Sequence, residues 1–235
     1  MAVAIITGAS RGLGHALAHA LAGRGWDLVL DARTAAPLEE TARELAKYGT
    51  RVVALAGDVT ASTHRAELVA AARELGGADL LVNNAGILGA EPLVPLDRHP
   101  VEGFRAALET NVVAPLALIQ EALPLLREAP GGAVVNVSSD AAVEAYATWG
   151  AYGATKAAVD QLSSVLAVEE PGLRVWWVDP GGMRTAMPAA AEPDEDLTGV
   201  PVPEEVAPAF LRLLDERSPS GRYAAPVLLE TGAGR

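Results

Sequence analysis

The chain has 235 residues, half of them hydrophobic, a formal charge of −12 and no cysteine. That length suits one α/β domain over 1–235 that buries about 70–75% of its unfolded surface. The acidic balance argues against nucleic acid, and the absence of cysteine excludes disulfides and thiolate metal sites. The four histidines show no ligand spacing, so no metal is expected. No uncharged apolar run reaches the ~18 residues of a membrane span. The first strand starts too early to leave room for a signal peptide, so the expected location is the cytoplasm, with no membrane contact.

In chain order, Ala2 to Ile6 is a short apolar, β-branched run, the pattern of a buried strand. It leads into Thr7-Gly8-Ala9-Ser10-Arg11-Gly12-Leu13-Gly14, after which Ala16, Leu17, Ala20 and Leu21 recur at helical spacing. A glycine-rich turn between a strand and a helix is a phosphate-binding context. The glycines allow close backbone approach, and the helix start offers unpaired N–H groups and partial positive charge. Further strands are predicted over 27–31, 51–56, 79–83, 132–137, 173–178 and 222–228. Helices are predicted over 12–23, 37–48, 61–75, 103–128, 151–169 and 204–215. The alternation predicts an α/β protein with a Rossmann-type, doubly wound parallel sheet of about seven strands and helices on both faces. The stretch Pro188 to Pro203, rich in Pro, Ala and acids, reads as a loop.

The segment from Ser139 to Tyr152-Gly153-Ala154-Thr155-Lys156 carries the chemistry. Residues four apart on a helix share a face, so Lys156 is expected beside Tyr152. Its charge is expected to lower the phenol from its usual ~10 toward working pH, where a general acid is most useful. Ser139 adds a hydroxyl to hold the same oxygen. With only two lysines and four tyrosines in the chain, such a pair rarely arises by chance. Ser138, adjacent on the strand end, is expected to face away.

These motifs, with Asp58-Val59, Asn83-Asn84-Ala85-Gly86, Asn111, Ser138-Ser139 and Pro180-Gly181, run in the order found in the short-chain dehydrogenase/reductases, which the chain resembles over about residues 1–185. The resemblance implies an oxidoreductase that moves hydride between NADP(H) and a carbonyl or alcohol, with Asn111, Ser139, Tyr152 and Lys156 catalytic. It implies cofactor contacts from Gly8, Ser10, Arg11, Gly12, Leu13, Gly14, Arg33, Asp58, Val59, Asn83, Ala85, Gly86, Tyr152, Lys156, Pro180, Gly181, Met183 and Thr185. Asn111 is to hold a water linked to Lys156, which requires a locally distorted helix. Residues 186–203 fall where the family carries a mobile substrate lid. Thr7 and Asn84 are as readily structural ties between strands.

Arg11 and Arg33 favour NADP(H) over NAD(H), since a guanidinium matches phosphate oxygens. Asp31 competes as an acid of the NAD type. Val143, Tyr146 and Trp149, with Met183 and Met187 opposite, are candidate pocket residues for a small-molecule carbonyl or alcohol. A non-catalytic NADP-binding sensor or scaffold, an NAD-dependent alcohol dehydrogenase and a sugar-nucleotide epimerase are the alternatives. The apolar stripes with Leu116, Leu123, Leu126, Val159, Leu162 and Leu166 predict a closed homo-oligomer. The end, Gly221 to Leu229, lacks the usual Gly-Gly of the family, so a homodimer is as credible as a homotetramer.

Overall fold

The computed structural model describes residues 1–232. Seven strands form one sheet: β1 (Val3–Ile6), β2 (Asp27–Ala32), β3 (Val52–Ala56), β4 (Leu80–Asn83), β5 (Ala133–Val137), β6 (Arg174–Asp179) and β7 (Gly221–Ala224). Their order is β3-β2-β1-β4-β5-β6-β7, and every pairing is parallel. β1 lies inside the sheet and is wholly buried, as its unbroken apolar run requires, whereas the edge strand β3 is only half-buried.

The helices are α1 (Gly12–Ala22), α2 (Ala35–Leu45), α3 (Ser62–Leu75), α4 (Val101–Leu108), α5 (Ala114–Glu128), α6 (Gly150–Glu169), α7 (Ala186–Ala191), α8 (Pro203–Asp215) and α9 (Ala225–Gly232). They build a core on each face of the sheet. Leu17 and Leu21 of α1, Leu38 of α2 and Phe210 of α8 pack on one side. Leu68 of α3, Leu118 and Leu126 of α5 and the partly buried Leu166 of α6 pack on the other. The chain order changes direction between β1 and β4, which opens a crevice beyond their carboxyl ends.

Three predicted elements need correction. The strand expected over 222–228 stops at Ala224, and Ala225–Gly232 is helical. Pro226 lies in the first turn of that helix, where a missing N–H costs nothing, and Leu228 and Leu229 pack against the core. The helix expected over 103–128 is two helices joined by a π-helical turn at Glu109–Val113. The loop expected around 186–203 contains α7, whose Ala191 is buried against Leu88, Leu93 and Tyr152. Of the stripe residues, Leu126 and Val159 are buried within the chain itself, Leu123, Leu162 and Leu166 are partly buried and Leu116 is exposed; Val113, Val165 and Val168 on the same helical stretches are exposed as well. No described helix is long and apolar enough to cross a membrane.

Candidate active site

The glycine turn follows β1 because no other residue fits it. Gly8 (φ +66°) and Gly12 (φ +58°) adopt left-handed backbone. A Cβ on Gly14 would meet the Gly8 carbonyl oxygen at 2.4 Å, so this glycine lets α1 close on the turn. Asn84 supports it from β4: its Nδ2 donates to the carbonyls of Thr7 (2.9 Å) and Gly8 (3.1 Å). Thr7 Oγ1 in turn accepts from the backbone N–H groups of Asn84 and Ala85. Thr7 and Asn84 are therefore structural ties. No side chain caps the start of α1, which leaves its first N–H groups facing the crevice. Open glycine backbone and an uncapped helix start suit a dinucleotide pyrophosphate.

One cleft of about 1380 Å³ runs from this turn to Tyr152. Its walls include Gly8, Ser10, Arg11, Gly12, Leu13, Arg33, Asp58, Val59, Ala85, Gly86, Ser139, Tyr152, Lys156, Pro180, Gly181, Met183 and Thr185. Three expected site residues are not in its walls. Gly14 lies under the turn, and Asn83 is buried with its Nδ2 donating to Asn136 Oδ1 (2.8 Å). Asn111 stands behind the wall. The cleft exceeds the ~300–1,000 Å³ usual for a single drug-sized ligand, so it has room for a cofactor and a substrate together.

At the Arg33 end, Asp31 does not present a free carboxylate. It is buried, and its Oδ1 lies 2.7 Å from His64 Nε2. Burial raises its pKa, against the hydrogen bond from His64. Asp58 is held low by hydrogen bonds from the backbone and side chain of Thr60, with the Arg33 charge assisting. Arg11 and Arg33 are both exposed and line the cleft.

At the other end, Tyr152 and Lys156 lie one turn apart on α6 and are both buried. The Lys156 Nζ donates to the Val137 carbonyl (2.7 Å) and sits 5.5 Å from the centre of the Tyr152 ring. The phenol shifts opposite to the expected lowering. Burial pushes the Tyr152 phenol up, and Asp140 and Asp179 push it the same way. Burial lowers Lys156 to about 8, against the favourable charge of Asp160. The cation stands over the ring and donates to a carbonyl, and burial is the largest influence on the phenol.

Ser139 shares the cleft with Tyr152, and its Oγ donates to Asp140 Oδ1 (2.9 Å). Ser138 Oγ points instead to Asp160. Asn111 sits in the π-helical turn, whose widened backbone turns it inward. Its Oδ1 accepts from Ile87 N (2.9 Å), and its Nδ2 donates to Ile87 O (2.9 Å) and Thr155 Oγ1 (3.0 Å). A Cβ on Gly86 would stand 3.3 Å from Asn111 Oδ1 and 3.9 Å from Lys156 Nζ, so this glycine keeps the space between them open.

Tyr146, Trp149, Met183 and Met187 line the wide end of the cleft, whereas Val143 is exposed and outside its walls. Trp149 meets Tyr152 edge to face at 5.6 Å and donates to Glu192 Oε1. Leu197, Val200 and Val202 also line the cleft. Sequence reasoning missed Arg222, which donates to the Ser139 carbonyl (2.9 Å) and to Asp160 (2.9 Å) and so fixes the end of β5. No local pattern announces a contact made across 83 residues.

The family model for the short chain dehydrogenases matches residues 2–196. This chain belongs to that family. It is an NAD(P)-dependent dehydrogenase/reductase, an oxidoreductase on a Rossmann fold. Its relatives include a sepiapterin reductase of Rattus norvegicus, 38% identical over 198 residues that cover 79% of this chain and 76% of that one. A short chain dehydrogenase from Salmonella enterica superposes with a TM-score of 0.89 at 30% identity, covering 95% of each chain. An alcohol dehydrogenase from Thermococcus sibiricus, solved with 5-hydroxy-NADP, gives a TM-score of 0.86 at 30% identity, again over 95% of each chain.

Proposed function

We propose that this dehydrogenase reduces a carbonyl substrate, or oxidises the matching alcohol, with Tyr152 as general acid and base and with NADP(H) preferred over NAD(H). The observation that carries the reading is the single cleft shared by the glycine turn, Arg33, Ser139, Tyr152 and Lys156. The turn from Gly8 to Leu13 and the start of α1 hold the pyrophosphate, and Asp58, Val59, Ala85 and Gly86 hold the adenosine. Pro180, Gly181, Met183 and Thr185 hold the nicotinamide amide. Arg11 and Arg33 take the 2′-phosphate, and the engagement of Asp31 by His64 removes the acid that would oppose it.

Bound NADPH supplies the hydride to the carbonyl carbon. Tyr152 gives its proton to the carbonyl oxygen in reduction and takes it back in oxidation. Ser139 turns its hydroxyl from Asp140 to that oxygen and stabilises the charge developing there. With a pKa near 8, Lys156 carries its proton at neutral pH and favours the phenolate that Tyr152 leaves behind. Asn111 holds a water in the space kept by Gly86, and this passes protons from solvent to Lys156. Residues 186–203 act as the substrate lid within a single domain.

The substrate is a small to medium apolar ketone or aldehyde, because Tyr146, Trp149, Met183 and Met187 offer area rather than charge. The test is NADPH consumption against simple ketones, diketones, aldehydes, steroids, sugars, an acyl thioester and sepiapterin. Turnover of apolar carbonyls or of the ketone side chain of sepiapterin is expected. No turnover of any of them, with NADPH binding verified by fluorescence, would sink the reading. The exposed Val113, Leu116, Val165 and Val168 support a two-fold homo-oligomer, and a monomer by light scattering at working concentration would exclude it.

A further inference from the structure

Away from the cleft, α1 and α2 bring three ligand-type side chains to one point. His15 and His19 stand four residues apart on α1 and so share a face, with ring centres 4.5 Å apart. Two of the four histidines thus do have ligand spacing, contrary to the reading of the sequence. Glu44, in the last turn of α2, reaches across. Its Oε2 lies 2.9 Å from His15 Nε2 and 3.1 Å from His19 Nε2. The three ligand atoms lie within 4.8 Å of one another.

These separations match a coordination shell. With metal–ligand bonds of about 2.0–2.2 Å, neighbouring ligand atoms around tetrahedral zinc lie roughly 3.3–3.6 Å apart, so the two histidine–glutamate separations need to open by only a few tenths of an ångström to admit an ion. An ion between the two helices would replace the imidazole protons now shared with the carboxylate. The other nitrogen of His19, Nδ1, faces the Tyr48 hydroxyl at 3.4 Å. Contacts of this kind orient a metal-binding ring.

We propose that His15, His19 and Glu44 form a binding site for one divalent transition-metal ion. Two imidazoles and one carboxylate suit Zn²⁺, Co²⁺, Ni²⁺ or Cu²⁺, with the remaining positions open to water. They do not suit Mg²⁺ or Ca²⁺, which require an oxygen shell. None of the three residues lines the cleft, so the ion takes no part in hydride transfer. It clips the helix that leaves the glycine turn to the helix that follows Arg33. The expected consequence is a more stable protein, because an ion that binds only the folded chain shifts the folding equilibrium.

The experiment uses the full chain without an affinity tag, stripped with a chelator that is then removed. Zn²⁺ is titrated by calorimetry and Co²⁺ by its visible absorption, and thermal unfolding is followed with and without Zn²⁺. One ion per chain and a rise in Tm with Zn²⁺ are expected, with no response to Mg²⁺. His15→Gln, His19→Gln and Glu44→Gln should each weaken the ion at least about tenfold, and Tyr48→Phe by a smaller factor. All three ligand side chains are partly exposed, so these variants should fold, and their unfolding in chelator should match that of the parent chain. No Zn²⁺ heat and no Co²⁺ band, binding that all three ligand variants retain, or equal binding of Mg²⁺ would each overturn the proposal.

Discussion

The Arg33 end of the cleft and the Tyr152 end satisfy their polar groups differently. Around β2 the buried Asp31 pairs with the buried His64, and beyond β3 the exposed Asp58 is held by Thr60. Around α6, among the described residues, the buried Lys156 donates to a carbonyl and the Tyr152 phenol has no hydrogen-bond partner. The acids of the first end are already hydrogen-bonded within the chain, which suits recognition of a constant cofactor. The second holds a buried cation and a buried phenol at a cost in stability, an arrangement found where groups are kept for chemistry.

The largest effect should come from the reacting end. Tyr152→Phe should lower kcat by about 10²–10⁴, the usual contribution of a positioned acid, while Tm and NADPH affinity stay near those of the parent. Turnover retained within tenfold on an identified substrate would show that the proton comes from elsewhere.

Next is the cost of the buried cation. Lys156 has a folded pKa depressed from 10.5 to about 8, so the ammonium penalises the folded state most below that value. The penalty fades as pH rises from about 8 to 10.5. In cofactor-free protein, Lys156→Met should be more stable at pH 6–7 by up to about 3 kcal/mol, and the gap should close toward pH 10. Denaturant unfolding across this range measures it. A destabilised variant at neutral pH would mean that the hydrogen bond to Val137 outweighs the desolvation.

The Arg33 end predicts smaller, selective changes. Arg33→Ala should weaken NADPH by roughly 1.5–3 kcal/mol, the scale of hydrogen bonds to charged groups, and NADH far less. Fluorescence titration of both cofactors reads the difference, and equal losses would remove Arg33 from phosphate recognition. Smallest of all is Asp31→Asn, which keeps a partner for His64. The ratio of NADPH to NADH affinity should stay within about threefold, or ~0.7 kcal/mol. A large gain for NADPH would mean that Asp31 reaches the ribose after all.

The sequence alone determined the sheet and its seven strands, because buried parallel strands read as unbroken apolar runs between glycine turns and amphipathic helices. It also determined which residues meet on one helix, such as Tyr152 with Lys156, since helical spacing is a local rule. The tertiary structure decided what those residues face. The Lys156 ammonium donates to the Val137 carbonyl, and burial of Tyr152 itself raises the phenol that the sequence expected Lys156 to lower. The pairing of β4 with β5 took Asn83 to Asn136, and His64 on α3 engaged the Asp31 carboxylate. The contact of Pro226 with Gly181 and the burial of Leu228 and Leu229 made a helix of a run that local pattern reads as strand. Glu44 reached the two histidines only because α2 returns beside α1. Each outcome depends on a partner tens of residues away, and desolvation and partner choice are set by the packed neighbours rather than by the residue itself.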